Sequence, residues 1–139
     1  MTRSLISTTA ATLIAAAIAG LSLTAPASAA GQVSLSYTPT DPQEAAALGL
    51  GLQFISLAKG MSANGGNISQ NGFGNAAGIG QFGSGNHGVL VQQGNGHTGT
   101  INQHGNNNSC GLFQFGENTN ASCDQYGNGQ SSITTVFGF

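Results

Sequence analysis

Beyond residue 64 the chain orders its apolar, small and polar positions with a fixed period of 11 residues. Gln-x-Gly recurs at Gln70, Gln81, Gln92, Gln103, Gln114 and Gln125, which places Gly72, Gly83, Gly94, Gly105, Gly116 and Gly127 at one distance from each Gln. Two residues before the Gln lie Ile68, Ile79, Leu90, Ile101, Leu112 and Cys123. Five residues after it lie Asn75, Asn86, His97, Asn108, Thr119 and Gln130. A weaker seventh unit, Val136-Phe137-Gly138, lacks the Gln. A register kept this long without insertion predicts a stacked repeat, and a flexible Gly-rich spacer would not keep it.

Each unit divides into a strand of about seven residues and a turn of about four. Side chains alternate along a strand, so the Gln shares a face with the residues two, four and six before it. The Gly after the Gln opens the turn, because it adopts backbone angles that other residues resist. No Pro follows Pro42, so every later N–H is able to join a ladder. Two units make one rung. The predicted fold is all-β, a β-solenoid of about three 22-residue rungs with two facing parallel sheets. Reversal at each turn sets Ile68 opposite Ala77, Ile79 opposite Gly88, Leu90 opposite Gly99 and Leu112 opposite Ala121. Large thus meets small, which suits closely packed sheets. Ile68, Ile79, Leu90, Ile101 and Leu112 form the expected core. Gln70 is read as facing Asn75, Gln81 as facing Asn86, and Gln103 as facing Asn108. Residues 22 apart stack, Gln70 on Gln92 on Gln114 and Gln81 on Gln103 on Gln125. Such amides satisfy one another along a ladder.

The N-terminal part reads differently. Arg3, an apolar stretch over residues 10–23 and the small residues from Ala25 to Ala30 have the pattern of a secretory signal peptide. Residues 31–63 form a leader segment and residues 64–139 the repeat region. Residues 31–40 look extended. Asp41-Pro42 resembles an N-cap followed by the first helical residue, and Glu44 suits the first turn. A short helix follows, with Gly60 as its stop, although Gly49 and Gly51 weaken it and the spacing of Leu48, Leu50, Leu52 and Phe54 also fits a strand.

Charge narrows the functions open to this chain. It carries 2 Lys+Arg and 4 Asp+Glu, or 4% charged residues, against about 25% in an ordinary soluble domain. That excludes the basic footprint of a nucleic-acid binder. It also leaves few groups for acid–base catalysis, so no enzyme activity and no cofactor are expected. Gly60 to Gly116 contains no charged side chain, so little opposes edge-to-edge addition. Nothing after Gln130 resembles a polar cap, since Ile133, Val136, Phe137 and Phe139 are apolar. Both ends of the solenoid are therefore expected to present unpaired strands, and the chain to polymerise into cross-β fibres.

The spacing resembles the curlin repeat of curli fibre subunits, Ser-x5-Gln-x4-Asn-x5-Gln. Gln70-x4-Asn75-x5-Gln81, Gln81-x4-Asn86-x5-Gln92 and Gln103-x4-Asn108-x5-Gln114 match it, while His97, Thr119 and Gln130 depart. The resemblance implies a secreted subunit of an extracellular amyloid fibre serving biofilm matrix, adhesion and surface attachment. It implies as partners further copies of itself, a companion curlin-like subunit, and an outer-membrane export pore with accessory factors. Two other classes stand beside it. One is a soluble ligand- or surface-binding solenoid of ice-binding type, for which only Thr98-x-Thr100 speaks. The other is a Gly-rich secreted bacteriocin.

Cys110 and Cys123 fall opposite each other in one arc. An intramolecular disulfide, buried free thiols and an intermolecular bridge are all open at this stage. His87 and His104 are read as facing outward, and His97 as facing inward to bond Gln92. Their scatter over separate strands gives no metal site. The Gly-rich turns lack the Lys and Ser/Thr of a phosphate loop.

Overall fold

The computed structural model describes residues 22–24, 31–58 and 65–139. The expected signal segment lies outside the described residues except for the short strand β1 (Ser22–Thr24), and so does the expected helix stop at Gly60. β2 (Gln32–Tyr37) and α1 (Pro42–Ala58) follow β1. The repeat region forms β3 (Gly65–Asn71), β4 (Ala76–Phe82), β5 (His87–Asn95), β6 (Thr98–His104), β7 (Ser109–Glu117), β8 (Asn120–Tyr126) and β9 (Ser131–Gly138).

These seven strands wind as a β-solenoid. β3, β5, β7 and β9 pair in parallel in one sheet, and β4, β6 and β8 in the facing sheet. The register advances by one rung at each step, so Gln70, Gln92, Gln114 and Val136 are neighbours, as are Gln81, Gln103 and Gln125. The middle rung buries one large aliphatic from each sheet, and the last complete rung sets Leu112 beside the two cysteines. Leu90, Ile101 and Leu112 are fully buried with Cys110 and Cys123, and Ala77, Ile79 and Ala121 pack beside them. Small residues opposite the large ones let the sheets close. A Cβ on Gly66 would lie 3.0 Å from Ile79 Cγ2, and one on Gly99 would lie 3.3 Å from Leu90 Cδ1.

Ile68 departs from the expected core. It is 44% exposed, because β3 is the outermost strand of its sheet and only β5 flanks it. The turns also ask for more than was read from the repeat. Positive φ occurs at the Gly two residues after each Gln and again two residues further on, at Gly74, Gly85, Gly96, Asn107, Asn118 and Gly129. Only Gly and Asn fill this second position, since they tolerate the left-handed region best.

The larger correction concerns the chain ends. β9 does not present an open edge, because β2 pairs with it antiparallel, Ser34 against Val136. β1 then pairs with β2. Asp41 caps α1 by accepting from the Gln43 N–H at 2.7 Å. The helix then crosses the outer face of the four-strand sheet with Ala45, Gly49, Leu52 and Ser56, a helical stripe, turned to it. Gly49, which counts against a helix by propensity, allows the close approach: a Cβ there would lie 2.9 Å from Ser109 Oγ. Leu52 and Ile55 pack on Val89, Val91, Phe113 and Ile133. β5 is consequently buried on both faces from His87 to Gln92.

Candidate functional site

The Gln side chains form two hydrogen-bonded columns through the solenoid. Gln70 Nε2 donates to Gln92 Oε1 at 2.7 Å, and Gln92 Nε2 to Gln114 Oε1 at 2.8 Å. In the other sheet Gln81 donates to Gln103 at 2.7 Å, and Gln103 to Gln125 at 2.8 Å. The remaining amide proton crosses the core. Gln92 donates to Ala76 O, Gln103 to His87 O, Gln114 to Thr98 O and Gln125 to Ser109 O, at 2.9 to 3.2 Å. Each inner Gln therefore ties its own rung, the next rung and the facing sheet. This satisfies amides that would be costly to bury unpaired. The repeat spacing predicts the Gln amides against Asn75, Asn86 and Asn108. The structure instead sends those Asn side chains to turn backbone.

Asn75 Nδ2 donates to Gly94 O, Asn86 Nδ2 to Gly105 O and Asn108 Nδ2 to Gly127 O, each at 2.8 Å. Their Oδ1 atoms accept the N–H of the residue one rung on, from His97, Asn108 and Gln130. His97 interrupts the Asn series in sequence but reproduces its bonding. Its Nδ1 accepts from Thr119 N–H at 3.3 Å and faces Thr119 Oγ1 at 2.8 Å. Its Nε2 lies 3.3 Å from Gln93 O, four residues back. Asn86 and Asn108 also donate to the carbonyl four residues back. These partners define the tautomer protonated on Nε2. His97 bonds Gln93 and Thr119 rather than the expected Gln92.

His87 faces away from the solenoid core, yet it is fully buried beneath α1. Ser56 Oγ donates to Leu52 O and lies 3.2 Å from His87 Nε2. The imidazole N–H is therefore the donor in that contact. His87 Nδ1 has no hydrogen-bond partner. Burial holds this imidazole below its ordinary pKa, opposed by the nearby Leu52 and Gly65 backbone. The apolar run Val89-Leu90-Val91 is the sequence signal for a strand covered on both faces. His104 is on the outside of the three-strand sheet, stacked between Phe82 and Tyr126 at 4.6 and 5.0 Å. Thr98 and Thr100 are exposed there too, but their neighbours along the sheet are Ala76, Asn120, Gly78 and Ser122. No repeated Thr array forms around them. Among the described residues no group of three or more His, Cys, Asp or Glu comes together to hold a metal.

Cys110 on β7 and Cys123 on β8 form an intramolecular disulfide with their Cα atoms 6.7 Å apart. It joins the two sheets across the last complete rung.

The strand edges define the surface that remains. Among the described residues no strand pairs with the outer edge of β3, β4 or β8. Gln70, the first member of its column, is exposed.

The curlin associated repeat family matches residues 62–87. The match covers β3, β4 and the arcs that follow them, and the structure carries the same register on through β8. Compared with curated proteins and with solved structures, the chain has no significant match.

Proposed function

We propose that this chain is a secreted, non-enzymatic structural subunit that assembles copy on copy into curli-like extracellular fibres, serving biofilm matrix, adhesion and surface attachment. The observation that carries this reading is the pair of Gln columns, which open at the uncharged edges of β3 and β4 and, for the second column, at the edge of β8. An identical set of side chains and backbone groups, offered by another copy, continues both columns in register. Parallel strands with matching Gln ladders are the arrangement of cross-β assemblies. The curlin associated repeat match supports the same reading. Export to the periplasm and passage through an outer-membrane pore belong to it, as does a companion curlin-like subunit.

Purified residues 31–139 test it. Thioflavin-positive fibres with a meridional reflection near ~4.8 Å are expected. A folded monomer that persists for days at high concentration would sink the reading.

A further inference from the structure

The solenoid has four strands in one sheet and three in the other. The six Gln-bearing strands make three complete rungs, and β9 is the strand left over. It carries Val136 at the position of the Gln and ends that column. The two last Gln residues find substitutes for a ladder partner. Gln114 Nε2 donates to Thr119 O at 3.3 Å, and Gln125 Nε2 to Ser132 Oγ of β9 at 3.3 Å. β2 pairs along the outer edge of β9, and its Gln32 side chain also bonds both backbone groups of Asn120 on β8 at 2.9 Å. A groove of about 460 Å³ lies open against Asp124 and Gln125 on β8, beside the segment from Thr38 to Pro42.

We propose that β9, held by β2, occupies the place that β3 of a second copy takes, and that assembly proceeds by exchange of one for the other. This inference rests on the self-assembling function above. If β9 stayed, an incoming β4 could not reach the edge of β8, because the β3 that precedes it would collide with β9. With β9 and β2 withdrawn, β3 of the incoming copy pairs with β7 and its β4 with β8. The register then sets Gln70 over Gln114 and Gln81 over Gln125, and both columns continue. Gly66 arrives above Cys110, where Ser132 now sits. The disulfide keeps β7 and β8 together as a docking end while β9 leaves.

Copies of the full chain that each carry one added cysteine beside the Cys110–Cys123 disulfide, mixed and allowed to assemble, read the register. Asn71 of an incoming β3 takes the place of Phe137 and becomes the neighbour of Phe115. Fibres of Asn71→Cys with Phe115→Cys are expected to cross-link, and fibres of Asn71→Cys with Phe137→Cys to lose the link. Adjacent strands sit about 4.8 Å apart, within disulfide reach, whereas a strand two places away lies beyond about 7 Å. Links at 71–137, or fibres without either link, overturn the exchange while leaving self-assembly intact. Failure of the wild-type chain to form fibres overturns self-assembly itself, and the exchange with it. A kinetic arm is independent of the links. Val136→Asp, a charge at a fully buried site of β9, is expected to shorten the assembly lag severalfold. A longer lag from a monomer that keeps its β-sheet circular dichroism overturns the proposal.

Discussion

Gln92 Nε2 donates to Gln114 Oε1 at 2.8 Å along the solenoid, and also to Ala76 O at 2.9 Å across the core. With the bond received from Gln70, one amide makes three contacts that no other side chain of its size supplies. Gln92→Leu would keep the volume and leave partners unpaired on three sides. A loss of about 2–4 kcal/mol is expected by urea unfolding of the monomer. Gln70→Leu, at the exposed end of the same column, is expected to cost about 1 kcal/mol or less. Equal costs would contradict the ladder as a source of stability.

His97 stands in for Asn by geometry. His97→Asn is therefore expected to cost about 1 kcal/mol or less, since the bonds to Thr119 N–H and Gln93 O have Asn equivalents one strand away and only the contact with Thr119 Oγ1 has none. His97→Leu leaves Thr119 N–H and Gln93 O without their partner and is expected to cost about 2 kcal/mol. Thermal unfolding of the two variants separates these outcomes.

Stability should fall on acidification through His87. Its folded-state pKa is lowered by burial, so the unfolded chain binds the proton more readily. The contribution of the neutral imidazole is complete above the unfolded value, about 6.5. It is lost as pH falls from there towards the lowered folded value. Ser56 and the Leu52 backbone face the ring from α1, with the Gly65 backbone beside it, and none of these is a carboxylate that would hold the charge. Urea melts at pH 7.5 and pH 5 should show this slope, and His87→Leu should flatten it. An unchanged slope would place the acid sensitivity elsewhere.

Glycines in the turns differ by what lies over them. Gly94 has φ +128° and its missing Cβ points at the Gly116 carbonyl of the next rung. Gly129 has φ +67° with open space around it. Gly129→Ala is expected to cost about 1 kcal/mol from the backbone alone. Gly94→Ala is expected to cost more than twice that, or to prevent folding, because carbonyl groups must move. Far-ultraviolet circular dichroism and melting of both variants check the order.

Reduction should weaken the last complete rung. The Cys110–Cys123 bridge closes a short loop, for which about 3 kcal/mol is typical. The melting temperature is expected to drop on adding a reductant, and a Cys110→Ser, Cys123→Ser double variant should match the reduced protein.

The fold was legible in the repeat because every strand meets the same demands. A rung needs a Gln to bond its neighbour, a Gly to turn and an aliphatic to fill the core, and the chain states these every 11 residues. What happens where the periodicity stops was not legible. Ile68 has the type of a core residue, but it lies on the outermost strand and no periodicity marks an end. His87 has the position of a solvent-facing residue, but its burial depends on a helix more than 30 positions upstream in the chain. The pairing of β2 with β9 joins segments about 100 residues apart, of which β2 lies outside the repeat and β9 holds only its weak seventh unit. The Asn residues were recognisable as conserved in spacing along the chain, yet their partners are turn backbone atoms, which carry no side-chain signature.

The Gln columns have a sense. In every pair, the amide nitrogen of the earlier residue points to the amide oxygen of the later one. The side-chain dipoles are therefore aligned head to tail in both sheets, and each bond polarises the next. The two ends of the solenoid are thus chemically unlike, one finishing in amide oxygens and the other in amide nitrogens. A copy added upside down would set like against like and break both columns at the junction, so any fibre built on them is a polar filament whose subunits all point one way.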